Sequence, residues 1–246
     1  MAYYNQQGSY NQQGSYNQQG SYNQQQYQQW QQPSQCYGSY GNYYQNSVFS
    51  VQAWQAFQFQ SPSDLQVVFT DVMNQNPENS SRNAIQAEDL TNVLNNTPSI
   101  QNYFKIKWSR ELCSIMIAML DRSMDGFMQW EEFTELLQCL VSWYNVFKQH
   151  DANGSGFIEA SELVKVIKSL FGYQISPQCL ETILKRYSRV IAGRGCLIAF
   201  DDFVSLSVRL RAYTDAFRKR DSLQNGHETG RTTFEYDDFL RCVMCL

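Results

Sequence analysis

A chain of 246 residues has room for one or two domains, and a formal net charge of −4 gives no general reason to expect nucleic acid as a partner. Charge is unevenly placed, with no Asp, Glu, Lys or Arg before Asp64. Seven cysteines without compact spacing argue against a disulfide scaffold and for reduced thiols in an intracellular, cytoplasmic protein.

The first residues lack a basic segment followed by an apolar run, so no signal peptide is expected. The densest apolar run, Leu112–Leu120 (LCSIMIAML), is far short of the ~20 residues needed to cross a bilayer. Residues 5–22 repeat NQQGSY three times, and Gln, Asn, Tyr, Gly and Ser dominate to about residue 60. Few aliphatic side chains are present to offset an ordering cost of ~1–2 kcal/mol per residue. Residues 1–60 therefore read as a disordered tail, either self-associating or a passive solubilising spacer. Within it, Val48–Phe59 (VFSVQAWQAFQF) is apolar enough to dock on the neighbouring domain or, alternatively, on a partner or membrane.

Residues 61–246 read as a second, nearly all-helical domain. It opens at Ser61–Asp64 (SPSD), where Ser61 can N-cap a helix, Pro62 suits its first position and Asp64 completes a capping box. Leu65, Val68, Phe69 and Val72 then share one helix face.

Two loops downstream carry metal chemistry. A calcium loop of the EF-hand type needs oxygens at positions 1, 3 and 5, a carbonyl at 7, often a water at 9, and a bidentate Glu at 12. Position 6 turns sharply and favours Gly; position 8 carries an aliphatic pin. Asp121–Glu132 (DRSMDGFMQWEE) offers Asp121, Ser123, Asp125, the Phe127 carbonyl, optionally Gln129, and Glu132 around Gly126. Asp151–Glu162 (DANGSGFIEASE) offers Asp151, Asn153, Ser155, the Phe157 carbonyl, Glu159 and Glu162 around Gly156, with Ile158 as the pin. Ser123 and Ser155 are the two departures from the strict pattern; each still presents an oxygen without charge.

Between the loops lie 18 residues without Gly or Pro, room for one helix of ~27 Å and not for two. The two loops then share that helix and sit at its opposite ends, so each must pair with another hand. Upstream, Ile85 fits position 8 and Asp89 position 12 of a poor loop, with Arg82 and Asn83 where ligand and glycine belong. Downstream, after a break at residues 172–177, Ile191–Asp202 keeps Ile198 at position 8 and lacks early ligands. A second unbroken run of 18 residues, Phe203–Arg220, leads to a long degenerate loop from Asp221 to Tyr236. The count is five: one with two, three with four, and a fifth left over. Phe234, Phe239, Leu240, Val243 and Leu246 give the fifth an apolar face that a second chain can bury by two-fold symmetry.

Five hands, two shared helices and a Gly/Tyr/Gln-rich leader resemble the penta-EF-hand family, which includes sorcin, grancalcin, peflin and the calpain subunits. The resemblance covers about residues 65–246. Residues 136–158 (LLQCLVSWYNVFKQHDANGSGFI), KRYS at 185–188 and 200–221 (FDDFVSLSVRLRAYTDAFRKRD) are most like the calpain domain of that family. It implies an all-α domain of five EF-hands, Ca2+ as the cofactor, and dimerisation through residues near 221–246. The partner would be a second copy or another penta-EF-hand protein. It further implies calcium-dependent protein partners, reversible membrane association and a calpain-type regulatory role. In the family the first three hands usually hold calcium; here the first departs, because Ala84 stands where an acid is usual.

An enzyme is the rival class. The only histidines, His150 and His227, have no cysteine placed beside them by the sequence, which leaves catalysis without a Cys–His pair. Cys242 and Cys245 (CVMC) lack the second pair that a zinc site would want, and read as half-buried thiols on the last helix. The alternative function is a scaffold or condensate protein driven by the tail, which lacks the arginine that supplies phosphate affinity.

Overall fold

The computed structural model of the chain describes residues 52–151 and 153–244. The NQQGSY repeats, the start of the apolar patch, Ala152, Cys245 and Leu246 lie outside them. So does most of the segment expected as a disordered tail.

The remainder of the apolar patch is packed. Gln52 precedes a single helical turn, α1 (Ala53–Ala56), whose Ala53 is buried, and Phe57 just after it is buried too. Phe57 meets the edges of Tyr103 and Phe104 at 5.3 and 5.6 Å, and Gln138 Nε2 donates to Gln52 Oε1 at 3.0 Å. The packed body thus begins upstream of residue 61. Composition marks a charge boundary there, whereas two apolar side chains suffice to anchor the preceding segment.

Helix α2 (Pro62–Asn74) starts as its sequence predicts, with the Ser61 N–H donating to Asp64 Oδ2 at 2.9 Å. Leu65, Phe69 and Val72 are buried and Val68 is half-buried. A short helix α3 (Pro77–Arg82), strand β1 (Ala84–Ile85) and helix α4 (Ala87–Asn96) complete hand one. Helix α5 (Pro98–Phe104) links it to α6 (Arg110–Leu120), which takes up the densest apolar run of the sequence and buries most of it.

Hand two continues through β2 (Met128–Gln129) into α7 (Trp130–His150), the single helix expected between the two good loops. Hand three follows as β3 (Phe157–Glu159) and α8 (Ala160–Phe171), which ends at Gly172 in the left-handed conformation. Helix α9 (Pro177–Tyr187), strands β4 (Arg189–Ile191) and β5 (Gly195–Ala199), and the start of α10 (Phe200–Asn225) form hand four. The rest of α10 and α11 (Tyr236–Met244) bracket the fifth loop.

Strand register fixes the pairing of the hands. β1 runs antiparallel to β2, with Ile85 opposite Met128; β3 runs antiparallel to β5, with Ile158 opposite Ile198. All four residues are fully buried. Hand one therefore pairs with hand two and hand three with hand four, as the helix count requires. One element is additional to that expectation. β4 folds back on β5, turning the fourth loop into a hairpin and giving three strands in the order β3-β5-β4. Without metal ligands to curl around an ion, the loop backbone satisfies its polar groups by pairing with itself.

An aromatic cluster joins the halves where α5, α7 and α10 meet. Phe200 stacks on Phe104 at 5.7 Å and meets Tyr144 at 4.8 Å and Phe147 at 5.4 Å. The C-terminal end of α7 is held in this cluster, while Trp130 and Phe133 at its N-terminal end pack on Phe69 at 5.6 and 5.2 Å. Among the described residues no helix is long and apolar enough to cross a membrane.

Candidate metal centres

The two loops flanking α7 gather their predicted ligands by local hydrogen bonding. In the first, Gly126 has a positive φ of 79°, and its N–H donates to Asp121 Oδ2 at 2.8 Å. Ser123 Oγ and the Asp125 N–H donate to Asp121 Oδ1 at 3.0 and 3.3 Å, and the Phe127 N–H donates to Asp125 Oδ1 at 3.0 Å. Glu132 closes the loop from the helix side. Its two carboxylate oxygens accept from the Arg122 N–H at 2.9 Å and the Gln129 N–H at 3.1 Å. Position 12 is thus tied to position 2 and also caps α7.

The second loop repeats the plan. Gly156, at φ 78°, donates its N–H to Asp151 Oδ2 at 2.7 Å. The Ser155 N–H donates to Asp151 Oδ1 at 2.9 Å and to Asn153 Oδ1 at 3.0 Å. Ser155 Oγ lies 3.3 Å from Asp151 Oδ1 and 3.2 Å from the Phe157 carbonyl oxygen. Glu162 accepts from the Glu159 N–H at 2.9 Å, capping α8.

These spacings suit a hard cation. Oxygens 2.3–2.6 Å from one ion sit roughly 3 Å from one another, close to the separations around Ser155. The donors are mixed: carboxylates, hydroxyls, an amide and a carbonyl. Among the described residues no three Asp, Glu, His or Cys side chains are gathered closely enough to hold a metal by themselves. The electrostatics of the first loop favour added positive charge. Glu132 is only 3% exposed; burial pushes its carboxyl above the usual carboxylate range, and Asp121 adds repulsion against backbone hydrogen bonds that lower it.

The other three hands are closed by protein groups. In hand one, Asn79 Nδ2 donates to Asp89 Oδ2 at 2.7 Å, and the would-be early loop is the helix α3, with Asn83 left-handed at its end. In hand four, Arg189 contacts Asp201 at 2.5 Å and Asp202 at 2.6 Å. In the fifth, Asp221 is almost fully buried. It accepts from the Thr229 and Gly230 N–H groups at 2.6 and 2.7 Å and from Asn225 Nδ2 and Thr229 Oγ1, both at 2.7 Å. Burial pushes its carboxyl up, but these hydrogen bonds outweigh burial and hold it at about 2. Arg220, buried beside it, reaches Asp238 of α11 at 2.5 Å.

Met128, the pin of hand two, and Asn79 and Arg189 escape a ligand-by-ligand reading of the sequence. Position counting alone finds the first, because Met128 is eighth from Asp121. An Asn ten residues before the last acid of a loop is the only trace of the second.

Comparisons with known proteins agree with this architecture. An EF-hand domain model matches residues 142–172, the end of α7 through α8. Mouse (Mus musculus) sorcin is 35% identical over 207 residues, 84% of this chain and 96% of sorcin. Human (Homo sapiens) grancalcin is 46% identical over 162 residues, 66% of this chain and 69% of grancalcin. A solved structure, a homologue of programmed cell death 6 protein from Leishmania major Friedlin, matches with a TM-score of 0.50 and 23% identity. It covers 74% of this chain and 91% of that chain, and shows the fold. Calcium is the cofactor that these relations and the loop chemistry give. With five hands threaded by two shared helices and a sorcin-like sequence over most of its length, the chain is a calcium-binding regulatory protein of the penta-EF-hand family.

Proposed function

We propose that Asp121, Ser123, Asp125, the Phe127 carbonyl and Glu132 hold one calcium ion. Asp151, Asn153, Ser155, the Phe157 carbonyl and Glu162 hold another. The observation that carries this reading is α7, one unbroken helix with a candidate ligand loop at each end, its C-terminal third packed in the Phe200 aromatic cluster. Loading either loop draws the glutamate at its helix start toward the first half of the loop. Interhelical angles then change and apolar surface becomes available to a protein partner. The role is that of a non-catalytic, cytoplasmic calcium sensor or regulatory subunit. Reversible membrane association and a calpain-type large subunit remain within its reach.

The fifth hand serves assembly in this reading. On α11, Tyr236, Phe239 and Met244 are 77%, 51% and 76% exposed, an apolar display unusual for a helix on a finished surface. A second copy, or another protein of the same family, covers it.

Calorimetric titration on the full chain tests the calcium assignment. Wild type takes two equivalents, Glu132→Gln and Glu162→Gln one each, and the double variant none. Wild type with no micromolar site defeats the assignment. Sedimentation of Phe239→Asp tests assembly: the variant is monomeric where wild type is dimeric, and an unchanged dimer defeats that part.

A further inference from the structure

Hands one and four have no calcium chemistry of their own, yet each pairs its loop strand with a hand that has. Their closing contacts share a design. In hand one, Asp89 occupies the last place of the loop, where a calcium-binding hand keeps its bidentate carboxylate. Asn79 is fully buried, and its Nδ2 donates to Asp89 Oδ2 at 2.7 Å. The Gln86 N–H donates to the same oxygen at 2.9 Å, and Gln86 Nε2 donates to Asn79 Oδ1 at 3.4 Å. In hand four, Asp202 holds the twelfth place, and Arg189 Nε lies 2.6 Å from it while its second nitrogen lies 2.5 Å from Asp201.

A calcium ion closes a hand by pulling the twelfth-place carboxylate onto the first half of the loop. An amide N–H from early in the loop, or a guanidinium from the strand leading into it, ties down the twelfth-place carboxylate without exchanging with solution. We infer that hands one and four are held shut permanently, Asn79 and Arg189 standing in for the ion. This rests on the assignment of calcium to the Asp121 and Asp151 loops. Hand one does not accept a third ion in this arrangement. At Asp89 the Asn79 side chain presents a donor where a cation needs a lone pair, and its oxygen is taken by Gln86.

The two closures differ in strength. Asn79 is buried, whereas the Arg189 side chain is 47% exposed, so solvent and salt weaken the latter pair. The consequence for function is an asymmetric pair at each end of α7. The shut hand supplies a fixed strand, Ile85 or Ile198, on which the strand of the calcium-binding hand, Met128 or Ile158, is already paired. Each pair then responds as a single site, and the calcium response is confined to the two ends of α7.

Amide hydrogen exchange on the full chain tests this. In wild type without calcium, the Gln86 N–H, bonded to Asp89, exchanges slowly, and calcium changes its rate less than about twofold. The Gln129 and Glu159 N–H groups, bonded to Glu132 and Glu162, slow about tenfold or more when calcium is added. Asn79→Ala speeds Gln86 exchange about tenfold without calcium, and calcium does not restore it. Asn79→Asp, which replaces the donor by a carboxylate, makes Gln86 exchange calcium-dependent. The inference is overturned if calcium slows wild-type Gln86 as strongly as Gln129. It is also overturned if Asn79→Ala leaves calcium-free Gln86 exchange unchanged, or if the Glu132→Gln, Glu162→Gln double variant still binds one equivalent. If Gln129 and Glu159 fail to respond, the calcium assignment fails instead; the calcium-free Asn79→Ala comparison still decides the closure.

Discussion

Ile158 lies opposite Ile198 across β3 and β5, and neither exposes any surface. This one contact couples the loop proposed to hold calcium to a loop without such ligands. Ile158→Ala removes apolar volume from a packed site and costs about 2–4 kcal/mol of stability. Urea unfolding of the variant measures it. The loss is accompanied by weaker calcium binding at the Asp151 loop, because the strand that the ion helps to order has lost its anchor. A variant as stable as wild type contradicts the pairing.

Gly156 sits at φ 78°, and a Cβ there would meet nothing within 4 Å. Gly156→Ala therefore introduces backbone strain without a clash, about 1–2 kcal/mol. The unloaded loop can relax that strain and the loaded loop cannot. Calcium affinity at this loop falls by roughly 5- to 30-fold, while the Asp121 loop is unaffected. Site-resolved titration by NMR distinguishes the two loops.

Asp221 gives the fold a particular acid sensitivity. Its carboxyl is held at about 2 in the folded chain, below the ~3.9 of an unfolded Asp. A depressed folded value contributes stability that is present above ~4 and is lost as pH falls toward 2. The stability difference between wild type and Asp221→Asn is constant above pH ~5 and shrinks between pH ~4 and 2. Thermal unfolding across that range measures it, and a difference independent of pH contradicts the network around Thr229 and Gly230.

The thiols separate by reactivity. Cys179 and Cys196 are exposed, whereas Cys113, Cys139 and Cys242 are buried. Burial pushes the Cys113 thiol up to about 11, so almost none of it is thiolate near pH 8. Among the cysteines of the described residues, maleimide labelling of the native chain followed by peptide mapping finds Cys179 and Cys196 modified first. Cys113 and Cys139 react only on unfolding. Early modification of Cys113 contradicts the packing of α6.

The parts of the fold legible in the sequence are those fixed by local chemistry. Breaker-free runs force single helices, which gives α7 and most of α10. The loop positions give the candidate ligands, and the pins Ile85, Ile158 and Ile198 that pair across the strands. Parts set by contacts between distant residues escape. The β4–β5 hairpin follows from a loop without ligands, and its glycines at 193 and 195 resemble failed ligand positions as much as a turn. Asn79 has no role in the sequence reading, and acquires one only when its amide nitrogen is seen facing Asp89. The docking of the Val48–Phe59 patch on the neighbouring domain is legible from its apolar side chains, but the partners of Phe57, Tyr103 and Phe104, are far along the chain and are not.

The Gly126 and Gly156 amides, which donate to Asp121 and Asp151 at 2.8 and 2.7 Å, offer the most direct measurement. In a calcium titration of the full chain followed by NMR, both glycine N–H signals shift and level off together with two bound equivalents. Glycine signals that stay in place as calcium rises to millimolar levels contradict the placement of calcium in these two loops.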